Sequence, residues 1–351
     1  MTTSETREEA VLEAVGKRRE LVNDAIPEEL PVARPERLYE ASRYLLDAGG
    51  KRLRPTILLA TAEALADVEP LSVDYRSFPT VHEEIDEIDM MDAAVSVEVI
   101  QSFTLIHDDI MDDDDLRRGV PAVHREYDLE TAILAGDTLY SKAFEIMLET
   151  GAEPARMVEA LDVLANTCTQ ICEGQALDVD FEQRDDVTPE EYLKMVEQKT
   201  AVLYAASASL PAILMGADDE VVDALYGYGL DVGRAFQIQD DVLDLTVPSE
   251  ELGKQRGSDL VENKQTLITV HARDHGLDVA DLVDTDDVDA VTEAEIDDAV
   301  ARLEETGSID YANEKARELV EQGKERLEVL PDNEAHDLLD EIADYLIERG
   351  Y

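Results

Sequence analysis

Two aspartate clusters sit on otherwise apolar, helix-patterned stretches of the chain. The first reads Leu105-Ile106-His107-Asp108-Asp109-Ile110-Met111-Asp112, the second Phe236-Gln237-Ile238-Gln239-Asp240-Asp241-Val242-Leu243-Asp244. Both have the form D-D-x-x-D. On a helix, positions i and i+4 share a face, so Asp108 lies above Asp112 and Asp240 above Asp244. Like charges at that spacing cost roughly 0.2–0.5 kcal/mol per pair on an exposed helix. On an apolar helix they cost more, unless a cation lies between them. Carboxylate oxygens suit a hard divalent ion, and magnesium takes one or two of them, keeps water and completes its shell with phosphate. One such cluster in so acidic a chain reads equally well as a solvated face, and Asp112 to Asp115 is itself a run of four. Two copies with matched apolar flanks do not.

The cations point the same way. There are 30 basic residues against 84 acidic ones, and four of the lysines fall in three phrases. These are Gly49-Gly50-Lys51-Arg52-Leu53-Arg54-Pro55, Lys199-Thr200, and Gly253-Lys254 through Gly257-Ser258-Asp259 to Lys264. Arg117-Arg118-Gly119 follows the first cluster directly. Ammonium and guanidinium groups bind phosphate oxygens by charge-assisted hydrogen bonds. Together the two sets describe a site for two polyanions, one held through metal and one through Lys and Arg alone.

The elements that must carry these groups are helical. Val11–Val22 and Glu36–Leu46 repeat apolar residues at three and four, and the second stops at Gly49-Gly50. Thr56–Ala66 is helical again. Asp67 to about Met90, with two prolines and the acidic run from Glu83 to Glu87, reads as a long surface loop. Asp92 to Asp109 is a strongly apolar helix. Thr188-Pro189-Glu190-Glu191 has the form of a capping box and opens a helix running through Lys199 toward Leu210. Val221 to Leu245 is a further helix, Asp278 to Asp298 is acidic and loop-rich, and amphipathic helices close the chain from Tyr311. No stretch alternates as a strand would. The expectation is one all-α domain, a bundle of antiparallel helices.

Composition sets limits on partners. With 351 residues, 44% of them hydrophobic, the chain can bury a sizeable core. A formal net charge of -54 repels nucleic acid and anionic lipid, and reads as adaptation to high salt, where screening weakens self-repulsion. Cys168 and Cys172, one turn apart, read as reduced core thiols rather than a metal or disulfide framework. The polar start from Met1 to Ala10 shows no signal peptide, and no run reaches the ~18 apolar residues of a membrane span. A cytoplasmic protein is expected.

The phrases from Gly49 to Lys264, all in order, resemble those of the trans-isoprenyl diphosphate synthases, closest in pattern to archaeal geranylgeranyl diphosphate synthases. Gly174-Gln175-x-x-Asp178 belongs to the same match. The resemblance implies the isoprenoid synthase fold, a central cavity, a homodimer, and two or three Mg2+ ions. Asp108 and Asp112 would hold two ions and Asp240 a third; Asp109, Asp241 and Asp244 would ligate their waters or orient the ligands. Arg117, Lys199 and Lys254 would bind the allylic diphosphate, with Thr200, Gln237 and Lys264 lining its pocket. Lys51, Arg54, Gln101 and Arg118 would hold isopentenyl diphosphate without metal. The implied reaction is head-to-tail condensation of the two diphosphates through an allylic carbocation. The departing diphosphate would take the proton, leaving His107 a structural place.

Phe103, five residues before Asp108, lies roughly 7–8 Å down the helix axis at 1.5 Å per residue. Followed by the small Thr104, it resembles a family pattern that sets a C20 product. The rival readings are a terpene cyclase or squalene-type synthase on the same scaffold, a non-catalytic partner subunit, and an acidic calcium binder. Cyclases usually carry an Asn/Ser/Glu-type second motif, silent subunits lose an aspartate motif, and a calcium binder has no use for Lys199, Lys254 or Arg117.

Overall fold

The computed structural model describes residues 3–81, 87–249, 255–283, 285, 288 and 290–348. Lys254 and the acidic residues Glu83 to Asp86 lie outside the described residues. The chain is all-α, as its periodicity requires. In order come α1 (Thr3–Glu29), α2 (Glu36–Asp47), α3 (Leu53–Ala66), α4 (Met90–Met111), α5 (Val123–Glu126), α6 (Leu129–Leu148), α7 (Pro154–Phe181), α8 (Pro189–Val196), α9 (Val202–Met215) and α10 (Asp219–Thr246). Helices at Ser258–Val261, Leu267–Asp274, Glu293–Glu305, Ser308–Arg326 and Glu334–Glu348 follow. Among the described residues no helix is long and apolar enough to cross a membrane.

The chain divides into two compact units. The first holds residues 1–168, 203–227 and 326–342. Its centre is α4, packed against α6, α3, α1 and α2 and buried from Met90 to Ile100 at every position. So apolar a helix carries little amphipathic signal because it is surrounded. The second unit holds residues 169–202, 228–325 and 343–351. Within it, the helix Leu267–Asp274 packs on α8 and on Glu293–Glu305.

Three expectations need correction. Among the described residues of 67–90, expected as a long surface loop, there is short regular structure. Tyr75–Ser77 forms a 3-10 turn, and Phe78–Pro79 pairs with Glu87–Ile88 in a short antiparallel ladder. Tyr75 and Phe78 are buried and stacked at 5.7 Å, and the Tyr75 hydroxyl donates to the buried Glu63 at 2.5 Å. Two aromatic anchors outweigh the polar composition around them. The acidic stretch before Asp298 also contains a helix start. Thr292 and Glu295 close a capping box, and Ile296, Ala299, Val300 and Leu303 bury one face. Last, only Cys168 is buried as a core thiol would be; Cys172 is exposed.

Candidate active site

In the first unit, α4 runs to Met111 and is capped by Asp112, whose N–H donates to the Asp108 carbonyl at 2.8 Å. The first motif therefore occupies the last helical turn. Asp108 is half-buried, Asp112 is exposed and Asp109 is fully buried. Asp109 accepts from Arg117 Nε at 2.6 Å, while its second oxygen is buried and meets no partner among the described residues. Burial pushes its carboxyl up, and Arg117 opposes the shift. Arg117 also reaches Asp114 at 2.7 Å.

Arg117-Arg118-Gly119 is the tip of a small hairpin, with Leu116–Arg117 paired to Val120–Pro121. Arg118 and Gly119 both have positive φ, at 54° and 77°, the signature of a turn that matches strand twist. The turn aims Arg118 back at the Gly49-Gly50 loop. It donates to the Leu45 carbonyl at 3.0 Å, to the Gly49 carbonyl, and to Glu98 at 3.1 Å. A side chain on Gly50, whose φ is +140°, would meet the Arg118 guanidinium at 2.9 Å. Only glycine admits the clamp. Arg52, buried with φ 52°, pairs with the same Glu98 and donates to the Leu46 carbonyl at 2.6 Å. Arg54 lies over the Tyr204 ring at 4.2 Å. Lys51 is exposed and Gln101 half-buried.

Phe103 is buried, edge-on to His107 at 5.9 Å and to Tyr140 on α6 at 5.4 Å. Thr104 bonds back to the Gln101 carbonyl at 2.8 Å. His107 turns toward α6, with Nε2 3.3 Å from the Ile133 carbonyl. A Cβ at Gly136 would collide with its ring at 2.2 Å. His107 is thus a packing residue between two helices.

In the second unit the expected capping box is present. Thr188 N donates to Glu191 Oε2 at 3.0 Å, and Glu191 N to Thr188 Oγ1 at 3.2 Å. The helix it opens does not run uniformly. Glu197–Ala201 winds as a π turn before α9 begins. Such turns are frequent at functional sites, and this one contains Lys199. Its Nζ donates to Asp178 at 2.5 Å. Gly174 makes this possible. A Cβ there would stand 2.2 Å from the Lys199 backbone nitrogen, so α7 approaches the π turn only because position 174 has no side chain. The spacing Gly174-x-x-x-Asp178 then sets the carboxylate one turn on, beside the ammonium.

Lys199, Thr200, Gln237, Asp241 and Lys264 line one pocket, together with Asp178, Tyr192 and Asp259. A chain of bonds orders its wall. Thr200 donates to Gln237 Oε1 at 2.9 Å, Gln237 Nε2 to Asp241 Oδ1 at 3.0 Å, and Tyr192 Oη to Asp241 Oδ2 at 2.5 Å. Burial, followed by the nearby Asp259 carboxylate, holds the Asp241 carboxyl well above the usual range; a bound divalent ion would act in the opposite sense. Asp244 is buried and accepts from Ser258 Oγ at 3.0 Å and Asp259 N at 3.3 Å. Asp240 is half-exposed. The sequence reading gives no role to Tyr192 or Glu98, nor to Arg52 and Asp259, which stand inside the quoted phrases. Tyr192 was discernible, lying seven residues before Lys199 on the capped helix.

Both motifs offer oxygen donors only. Among the described residues, the one metal-type group whose ligand atoms lie within 4.8 Å of one another is Asp332, His336 and Asp337. Neither aspartate motif is a preformed cage, as befits carboxylates that share an ion with phosphate and water.

A model of polyprenyl synthetases matches residues 35–301. The chain belongs to the polyprenyl synthetase family. A geranylfarnesyl diphosphate synthase of Natronomonas pharaonis is 72% identical over 99% of this chain and 100% of its own length. A geranylgeranyl diphosphate synthase of Methanosarcina mazei is 51% identical over 97% and 98%. A solved geranylgeranyl pyrophosphate synthetase from Geoglobus acetivorans superposes with a TM-score of 0.83 at 44% identity, covering 95% of this chain and 99% of that one. The all-α fold of this polyprenyl synthetase is therefore that of the isoprenyl diphosphate synthases, and it is a trans-prenyltransferase.

Proposed function

We propose that this polyprenyl synthetase condenses isopentenyl diphosphate head-to-tail with an allylic diphosphate, with geranylgeranyl diphosphate (C20) as its main product. One observation carries the reading. Both D-D-x-x-D motifs are intact in a chain that also keeps Gly49-Gly50-Lys51-Arg52-Leu53-Arg54-Pro55, a cation-rich phrase separate from both aspartate motifs. Cyclases and silent subunits have no need of that combination. We take residues 1–351 as one isoprenoid synthase domain working in the cytoplasm as a homodimer; exposed Leu129, Ile133 and Tyr140 along α6 support self-association.

The allylic substrate's diphosphate is assigned to Asp108, Asp112 and Asp240 through Mg2+, and to Arg117, Lys199 and Lys254 directly. Asp109, Asp241 and Asp244 orient that set, and Thr200, Gln237 and Lys264 complete its wall. When bound, the ions neutralise charge on the leaving diphosphate. Lys199, held by Asp178, presents N–H donors where negative charge grows as the allylic C–O bond breaks. Lys51, Arg54, Gln101 and Arg118 fix isopentenyl diphosphate so that its double bond meets the cation, and orientation supplies much of the rate. The proton lost from the adduct goes to the released diphosphate.

A floor at Phe103, its ring fixed between His107 and Tyr140, supports C20. The 72% identity to a geranylfarnesyl diphosphate synthase supports a C25 product instead. Incubation with isopentenyl diphosphate and an allylic primer, with and without Mg2+, and chromatography of the products decides. Magnesium-dependent C20 is expected, with Asp108→Ala and Asp240→Ala inactive yet normally helical by circular dichroism. Phe103→Ala should lengthen the product; an unchanged length removes Phe103 as the floor. Diphosphate release without elongation would favour a cyclase.

A further inference from the structure

Many arginines in this chain are answered by carboxylates. Arg52 and Arg118 share Glu98, and Arg117 holds Asp109 and Asp114. Arg54, two residues from Arg52, is not so answered. Among the described residues it makes no ion pair. Its guanidinium carbon stands 4.2 Å over the ring of Tyr204, a side chain fully buried on α9. Its Nε–H is buried and meets no acceptor among the described residues. In a sequence with 84 acidic residues, an arginine that keeps its full charge and an unanswered donor calls for an explanation.

An aromatic face supplies one. A carboxylate would orient a guanidinium by occupying its N–H edge and cancelling its charge. A ring orients it through the flat face, attracting the cation by its quadrupole. The N–H groups, which lie in the guanidinium plane, stay free along the edge. That edge is the part that recognises two phosphate oxygens at once. The stack therefore fixes the plane of the cation without neutralising it.

We infer that Tyr204 is a positioning residue for isopentenyl diphosphate, acting through Arg54 by holding its guanidinium plane and leaving its charge for the diphosphate. This rests on the assignment of Arg54 to isopentenyl diphosphate made above. The hydroxyl has no part in it; the ring face does. Tyr204 lies on the helix that follows the Lys199-Thr200 phrase, and no chemistry-bearing motif includes it.

The test is steady-state kinetics with each substrate varied in turn. Tyr204→Phe keeps the ring and should leave every constant within about twofold. Tyr204→Leu removes the π face and should raise KM for isopentenyl diphosphate about fivefold, with KM for the allylic primer and kcat within about twofold. Should the leucine variant fail to fold, fluorinated phenylalanines at 204 keep shape and burial while draining the ring face of electron density. KM for isopentenyl diphosphate should then climb with each added fluorine. A flat fluorine series, or a leucine variant that raises both KM values equally, overturns the inference and marks Tyr204 as plain packing. Arg54→Gln separates the two layers. If it leaves KM for isopentenyl diphosphate unchanged, the assignment of Arg54 falls. If it raises that KM while the Tyr204 series stays flat, only the positioning role falls.

Discussion

Glu98 shows what one side chain can hold in place. It is 3% exposed, pairs with Arg52 and Arg118, and so ties α4 both to the Gly49-Gly50 loop and to the hairpin that carries Arg117. Neutralising it by Glu98→Gln leaves two guanidinium groups facing each other with no counter-charge. Removing one partner of a buried ion pair costs on the order of 3–5 kcal/mol. A melting temperature lowered by several degrees is expected, together with a weakened KM for isopentenyl diphosphate, because Arg118 would no longer clamp the loop beside Lys51. Thermal melts and kinetics on the same preparation check both. Unchanged values in each would show that the two backbone carbonyls hold Arg118 without Glu98. This network was not legible in the sequence. The phrase Lys51-Arg52-Leu53-Arg54 offers three cations in four positions, and nothing local tells which turns inward. The answer depends on a left-handed backbone at Arg52 and on a carboxylate 46 residues away.

At the scale of elements, local signals served well where they act locally. The capping box at Thr188 and the helical spacing of both aspartate motifs could be read directly, because each depends on neighbours within one turn. The π turn at Glu197–Ala201 could not, since nothing in Gln198-Lys199-Thr200 distinguishes it from α-helix. Its cause is a helix 25 residues earlier, allowed to approach by Gly174. The same reasoning gives a prediction. Gly174→Ala puts a methyl group 2.2 Å from the Lys199 backbone nitrogen, and backbone cannot swing aside as a side chain does. An overpacking cost of about 1–3 kcal/mol is expected, with α7 pushed back and the Lys199–Asp178 pair lengthened. KM for the allylic substrate should rise more than KM for isopentenyl diphosphate. If kinetics and melting temperature are unmoved, close approach of α7 is not what positions Lys199. The hidden helix start at Thr292 has a different origin. The acidic density of residues 278–298 masks a T-x-x-E cap and an apolar face from Ile296 that are both present in the sequence.

Across the whole molecule the excess of 84 acidic over 30 basic residues dominates. Many of the arginines and lysines already answer carboxylates in local pairs, several of them at i,i+3 or i,i+4 on exposed helices, and such exposed pairs contribute little. The remaining negative charge repels itself in the folded state more than in the expanded one. Screening relieves this: the Debye length falls from about 10 Å at 0.1 M salt to about 3 Å at 1 M. The melting temperature should therefore climb by on the order of 10 °C between 0.1 M and 2 M KCl, and an uncharged osmolyte at equal osmolality should give less. A second lever has the same direction. Burial, then the neighbouring Asp89 and Glu29, push the Asp92 carboxyl up to about 7, against about 3.9 in an unfolded chain. The folded state then binds this proton more tightly, so its contribution is complete below about pH 4 and is lost as pH rises through 7. At low salt, moving from pH 8 to pH 6 should stabilise the protein, and Asp92→Asn should flatten that slope while leaving the KCl dependence intact. A melting temperature that falls with KCl would mean that the acidic surface holds structured cations rather than merely repelling itself. In that case screening would not be the property that lets so charged a chain keep a diphosphate site.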